Sequence, residues 1–194
     1  MDRRKFTLAA VAALAGMAAT PAWARLFYNT DTKNWEEREA SGGGRRYKKI
    51  ERETVDYPTK LKVGSIVVET SERRLYLVLP EGKALKYGIG VGRDGFTWSG
   101  THKITRKAEW PGWTPPAAMR KRVPDLPAYM EGGPDNPLGA RALYIGSTLY
   151  RLHGTSEPWT IGQAVSSGCI RLTNDDIIDL YDRVKIGAVV VVHH

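Results

Sequence analysis

The sequence predicts a mostly β domain with a few helices, built from antiparallel hairpins and preceded by a leader and a polar arm. Three observations carry that expectation. Residues 65–70 (Ser-Ile-Val-Val-Glu-Thr) and 74–79 (Arg-Leu-Tyr-Leu-Val-Leu) are β-branched and aromatic runs joined by the tight turn Ser71-Glu72-Arg73. Residues 100–107 alternate as a half-buried strand does. The one clear helical pattern comes late, after Cys169.

The chain has 194 residues, 42% hydrophobic and 26% charged, which suits a soluble globular protein with room for a real core. Collagen, coiled coil and wholesale disorder are excluded on composition. A single cysteine excludes an intramolecular disulfide framework and a Cys-rich structural zinc site. Lys and Arg total 29 against 21 Asp and Glu, a net charge of +8. Such charge in an exported protein suits an anionic polymer or lipid surface as partner, or serves solubility alone. No Gly-rich phosphate loop, RNA-binding motif or DNA-reading helix is present, so nucleic acid is not an expected partner.

Residues 1–24 read as a signal peptide. A charged start, Asp2-Arg3-Arg4-Lys5, precedes an apolar run over residues 8–19 and then the small residues of Ala22-Trp23-Ala24. The run is too short to span a bilayer, which takes roughly 20 residues. Arg3-Arg4-Lys5-Phe6 resembles the twin-arginine export motif, although Asp2 replaces its usual Ser or Thr; the alternative is the general secretory route. Cleavage after Ala24 would leave a basic protein with no stable membrane insertion. Residues 25–57 are polar, with Ser41-Gly42-Gly43-Gly44 in their middle, and read as a flexible tether or loosely packed arm.

The folded domain is expected over residues 58–194. After the first two strands, Pro80-Glu81-Gly82-Lys83 makes a second turn into a strand over residues 84–91. Residues 110–137 hold nine Trp and Pro residues and read as a long irregular loop, either a lid over a site or a surface insertion. Residues 140–145 and 149–153 read as two more strands. Thr173-Asn174-Asp175-Asp176 fits a capping box in its Asp form. Ile177, Leu180, Tyr181 and Val184 then recur at helical spacing. Gly187 ends the helix, and residues 188–192 form a last buried strand.

The chemistry concentrates in Leu152-His153-Gly154-Thr155 and Ser166-Ser167-Gly168-Cys169-Ile170-Arg171-Leu172. A lone cysteine in an exported protein risks oxidation, so its retention asks for a reason. An unperturbed thiol is only a few per cent ionised near neutrality, and a neighbouring base makes it a nucleophile. His153 can take the thiol proton and return it to a leaving amine. A carbonyl at Gly154 can orient the imidazole. Gly168 and Cys169 can offer N–H groups to a tetrahedral oxyanion. Arg171 can support the site electrostatically. Each residue also has a plain structural reading, as a buried small hydrophobe, a hydrogen-bonded core histidine and a surface ion pair.

His-Gly-Thr followed by Ser-x-Gly-Cys-Ile-Arg-Leu resembles the signature of the L,D-transpeptidase (YkuD-like) catalytic domain of bacteria. The resemblance covers residues 62–192 and extends to Arg74-Leu75-Tyr76-Leu77, Tyr87-Gly88-Ile89-Gly90-Val91-Gly92, Pro115-Pro116 and Asn136-Pro137-Leu138-Gly139-Ala140-Arg141. It implies a β-sandwich-like fold, a periplasmic, wall-associated location and peptidoglycan stem peptides as partners. Cys169 would attack the diaminopimelate carbonyl of a tetrapeptide stem, release D-Ala and form a thioester. A second stem's amine would resolve it as a 3–3 cross-link. His153 matches the family's base, Gly154 its carbonyl helper and Arg171 its Cys-proximal arginine. No metal or cofactor is implied. Many members carry His where Ser167 stands, so no second imidazole is expected there. His102 is expected to face solvent.

Ser166, Ser167, Trp113 and Tyr129 are expected to contact substrate. The sequence leaves the acceptor open. Besides a stem amine it could be water, giving a carboxypeptidase, or the amine of an outer-membrane protein; a non-catalytic wall-binding domain is the remaining alternative.

Overall fold

The computed structural model describes residues 24–29, 34–39, 49–94, 98–122 and 125–194. The expected leader, Ala24 apart, lies outside them. The chain divides into two units, residues 1–43 and 44–194. In the first, β1 (Ala24–Asn29) and β2 (Asn34–Glu39) form an antiparallel hairpin with Tyr28 opposite Trp35. A third of the expected arm is therefore paired strand in this hairpin. Its charged composition hid this, because strand signals read from sequence rest on apolar alternation.

In the second unit the strands are β3 (Glu53–Asp56), β4 (Ile66–Glu69), β5 (Arg74–Val78), β6 (Lys83–Gly88), β7 (Val91–Gly92) and β8 (Gly100–Glu109). A short helix, α1 (Ala117–Arg122), lies in the Pro-rich stretch. There follow β9 (Arg141–Ile145), β10 (Arg151–His153), β11 (Ala164–Ser166), β12 (Ile170–Arg171), α2 (Asn174–Arg183) and β13 (Val189–His193). Nine strands form one sheet in the order β12-β10-β9-β8-β13-β4-β5-β6-β3, and β11 pairs with β7 separately.

The sheet is mixed, where antiparallel pairing was expected. β13 enters between β4 and β8, antiparallel to β8 and parallel to β4. β10 and β12 are also parallel. The domain begins earlier than residue 58, because β3 pairs with β6 along the sheet edge. β3 is exposed except for a half-buried Val55, so it shows no apolar pattern. Arg52 beside it reaches Asp176 and Asp179 of α2, each at 3.4 Å, which ties this edge to the helix.

β8 carries the architecture. Its first residues pair with β13 and its later ones with β9, with a register shift between Ile104 and Arg106. The two halves of the sheet enclose one core that joins Ile66, Val68, Leu75 and Tyr87 to Leu143, Ile145, Leu152 and Ile170. Both faces of β4 are covered, with Ile66, Val67 and Val68 all buried, which explains its unbroken apolar run. α2 closes the core with Ile177, Leu180 and Val184, each worth roughly 1.5–3 kcal/mol as buried side chains. Its N-cap is Thr173, whose Oγ1 accepts from the Asp176 N–H at 3.1 Å.

Candidate active site

Strand register assembles the site. Across the parallel pair, Leu152 faces Ile170 and His153 faces Arg171. Across β9, Tyr144 faces Arg151 and Ala142 faces His153. Side chains two apart share a face of a strand, so Arg151 and His153 point the same way. Cys169 immediately precedes Ile170, the first residue of β12, one position along the parallel ladder toward Arg151. Tyr144, Arg151, His153, Cys169 and Arg171 all line one cleft of about 840 Å³. The cysteine and the histidine, 16 positions apart in the chain, thus share a single cavity.

His153 is 4% exposed. Its Nδ1–H donates to the Gly154 carbonyl at 2.6 Å. A carbonyl can only accept, so the proton sits on Nδ1 and Nε2 keeps its lone pair. Burial pushes the imidazole down to about 3, helped by the charges of Arg171 and Arg151 and opposed by the backbone acceptors Gly154 and Leu138. His153 is therefore neutral at physiological pH. It rests as a base of fixed tautomer, with no preformed imidazolium to pair with a thiolate.

The cysteine loop is held from below. Ser166 Oγ donates to the Cys169 carbonyl at 2.6 Å and accepts from the Gly168 N–H at 3.1 Å. Two expectations change here. Ser166 lines the cleft, but it is buried and its hydroxyl is spent inside the loop, so its visible role is to shape the loop. The Gly168 N–H is likewise committed and is not a free oxyanion donor. What Gly168 supplies is its backbone conformation, φ +104°, which side-chain-bearing residues rarely adopt. The Cys169 N–H has no partner among the described residues and remains available. The half-buried Cys169 side chain makes one long contact among the described residues, from Sγ to the Leu149 carbonyl at 3.9 Å.

Arg171 pairs with Glu157 at 3.3 Å, and its backbone exchanges two hydrogen bonds with Gly90, both 2.9 Å. Of the residues expected to contact substrate, Ser166, Ser167 and Trp113 line the cleft. Tyr129 does not. Its ring lies against Gly112, where an added Cβ would come within 2.1 Å of the hydroxyl, and it is 58% exposed. Trp113 and Met130 bridge the loop by paired backbone hydrogen bonds of 2.8 Å, which leaves the tyrosine next to that bridge outside the cleft. His102 does not line the cleft either. It is half-buried, edge-on to Trp98 at 5.4 Å, and so does not simply face solvent.

Two residues to which sequence reasoning gave no role in the site hold this geometry. Asn174 Oδ1 accepts from the Ala140 N–H at 3.0 Å and from the Thr155 N–H at 3.2 Å. One amide oxygen thereby joins the start of α2 to the chain on both sides of the His153–Gly154 turn. Gly154 and Gly139 make room for it, since a Cβ at either would approach Asn174 Oδ1 to 2.3 Å. The available signal was an Asn just inside a helix already capped by Thr173, where its own helix propensity gives no reason for it. Trp98 donates from Nε1 to the Gly168 carbonyl at 2.7 Å and stacks on Tyr150 with ring centroids 4.5 Å apart. The Gly168 turn is thus gripped through its N–H by Ser166 and through its carbonyl by Trp98.

The family model of the YkuD L,D-transpeptidase catalytic domain matches residues 64–192. The chain belongs to this family. Among its relatives is the probable L,D-transpeptidase ErfK/SrfK of Escherichia coli K12, 45% identical over 131 residues that make up 63% of this chain and 41% of that one. The probable L,D-transpeptidase YbiS of the same strain is 45% identical over 132 residues, 63% and 42% of the two chains. This YkuD-family chain therefore spans about two fifths of the length of those curated relatives. A Brucella melitensis chain described as a probable carnitine operon oxidoreductase, caia, is 42% identical with a TM-score of 0.51, covering 73% of this chain and 92% of that one. L,D-transpeptidase 3 from Mycobacterium tuberculosis, 20% identical, shares the fold at a TM-score of 0.52 over 68% of this chain and 61% of that one. Among the described residues no helix is long and apolar enough to cross a membrane.

Proposed function

We propose that the domain is a peptidoglycan L,D-transpeptidase with Cys169 as nucleophile and His153 as general base and acid. One observation carries the reading: a neutral histidine of fixed tautomer and the chain's single cysteine line the same cleft. Nε2 of His153 takes the thiol proton as Sγ forms a bond to the diaminopimelate carbonyl carbon of a tetrapeptide stem. The carbonyl oxygen becomes an oxyanion facing the free Cys169 N–H. Collapse breaks the peptide bond, and His153 returns the proton to the departing D-Ala amine. The thioester is then attacked by an acceptor amine. His153 takes a proton from that amine and delivers it to the leaving sulfur, and a 3–3 cross-link is formed. One peptide bond replaces another, so no ATP is consumed. Arg171, paired with Glu157, keeps positive charge beside the site and helps hold His153 neutral.

Residues 1–24 act in this reading as an export leader of twin-arginine type, removed after Ala24, so that the domain meets wall peptides in the periplasm. N-terminal sequencing of the exported protein should begin at Arg25. Incubation of the mature protein with purified tetrapeptide muropeptides, read by mass spectrometry, tests the activity. A cross-linked dimer lacking one D-Ala is expected. Free tripeptide as sole product would make the protein a carboxypeptidase, and activity only with an outer-membrane protein amine would make it an attachment enzyme. No conversion with any acceptor would overturn the proposal.

A further inference from the structure

The cleft is lined by Arg106, Arg120, Arg151 and Arg171 and by no carboxylate. Arg171 already has a carboxylate partner, Glu157, outside the lining. Arg106 and Arg151 have no ion pair among the described residues, although Arg141 on the neighbouring β9 has found Glu109 at 3.1 Å. Arg120, on α1, has no ion pair among the described residues either, but Arg106 and Arg151 are the two on the sheet, and they are not scattered. Register puts Arg106 on β8 directly opposite Tyr144 on β9, and Tyr144 directly opposite Arg151 on β10. The three form one row across three strands, beside the level of Cys169.

Within that row the aromatic ring serves as a platform. The Arg106 guanidinium lies 3.5 Å over the Tyr144 ring centroid, and that of Arg151 lies 5.7 Å from it. A guanidinium stacked by its face keeps the N–H groups on its edge free for a planar acceptor. Arg151 spends one N–H on the Leu149 carbonyl at 2.9 Å, while its Nε is buried with no acceptor. Two like charges held in one row with no counter-ion repel each other, and a carboxylate between them would relieve both. Neighbouring strands lie about 4.8 Å apart, so the row runs from roughly 5 to roughly 14 Å from the cysteine position. Peptide residues advance about 3.4 Å each, which places a carboxylate within a few residues of the scissile bond over this row.

We propose that Arg106 and Arg151, stacked about Tyr144, are the seat of a free carboxylate on the donor peptide, so that the cleft selects acid over carboxamide. The proposal rests on the reading that Cys169 takes its acyl group from a wall stem peptide. A tetrapeptide stem offers two such groups near the scissile bond, the terminal carboxylate and the second carboxylate of diaminopimelate, and the seat's chemistry is the same for either.

The test uses three synthetic tetrapeptides: the free acid, the terminal carboxamide and the side-chain carboxamide. Binding to Cys169→Ala protein is measured by calorimetry, and kcat/KM for D-Ala release is measured with the intact enzyme. One carboxamide should bind at least about tenfold more weakly than the acid, and that one identifies the seated carboxylate. Arg106→Gln/Arg151→Gln should weaken the acid by a similar factor, mainly in KM, erase the preference and leave the weak carboxamide within about threefold. Equal binding of all three peptides would overturn the seat, as would variants that weaken acid and amide alike. If acid preference persists in binding while no peptide is turned over, the seat stands and the transfer reading falls. Thermal melting of the double variant checks that the row has not simply unfolded.

Discussion

The Nδ1–H of His153 donates to the carbonyl of its own chain neighbour, Gly154, at 2.6 Å. The orienting group of the site is thus the residue just past the end of β10, where many nucleophilic sites use a separate carboxylate. A neutral acceptor stabilises imidazolium less than a carboxylate would, and burial beside two arginines opposes protonation further.

The pH dependence follows from that environment. With the folded imidazole at about 3, the base stays neutral far below the usual histidine range. The acid limb of kcat/KM should therefore lie below about pH 5, and a limb near 6.5 would mean an ordinary histidine. The sign for stability is set by the same shift. Between about 3 and about 6.5 the unfolded chain binds a proton at this residue that the folded chain refuses, so stability rises with pH through that window. The contribution is complete above about 6.5 and is lost as pH falls toward 3. His153→Gln should flatten this slope in chemical denaturation series, and an unchanged slope would contradict the account.

Asn174 should prove a positioning residue. Asn174→Ala leaves the Ala140 and Thr155 N–H groups without their acceptor and should cost about 1–3 kcal/mol in stability. Because those groups flank the His153 turn, kcat should drop by about tenfold or more with KM little changed. Asn174→Asp keeps an accepting oxygen at a helix start that favours negative charge, and should restore most of kcat. A variant as damaged as Asn174→Ala would show that the amide's role lies elsewhere.

The serine pair separates loop support from surface. Ser166→Ala removes a donor to the Cys169 carbonyl and an acceptor for the Gly168 N–H, both buried, and should lower both the melting temperature and kcat. Ser167→Ala should leave the melting temperature unchanged. Equal effects of the two substitutions on stability would contradict the assigned division.

Trp98→Phe keeps the stack on Tyr150 but removes the Nε1–H that holds the Gly168 carbonyl at 2.7 Å. Stability should fall by about 0.5–1.5 kcal/mol, and acylation of Cys169 should slow more than substrate binding weakens. An unchanged acylation rate would show that Ser166 alone fixes the turn.

Much of this was legible in the chain because local chemistry and tertiary structure agree. α2 announced itself through Thr173 and the spacing of Ile177, Leu180 and Val184, and those residues are capped and buried accordingly. β4 and β5 were legible because apolar runs met at a short turn. β3 was hidden by its polarity, and the β13–β4 parallel pairing by the absence of any local mark for where a last strand returns. At the site, motif spacing pointed to Cys169 and His153 together, since both sit at strand ends in one sheet half. Asn174 and Trp98 were given no role in the site because each acts on a backbone group far along the chain. The Gly168 N–H was misjudged for a related reason, because it and the Ser166 hydroxyl two residues earlier were already partners.

The most direct measurement is intact-protein mass spectrometry during turnover of a tetrapeptide stem. Protein quenched in acid should carry one acyl group equal to the stem less D-Ala, mapped by peptide digestion to Cys169 and released by a nucleophilic amine. Cys169→Ala should fold with an unchanged melting temperature and carry no acyl group. An acyl group on any other residue, or D-Ala release that persists in Cys169→Ala, would contradict the account.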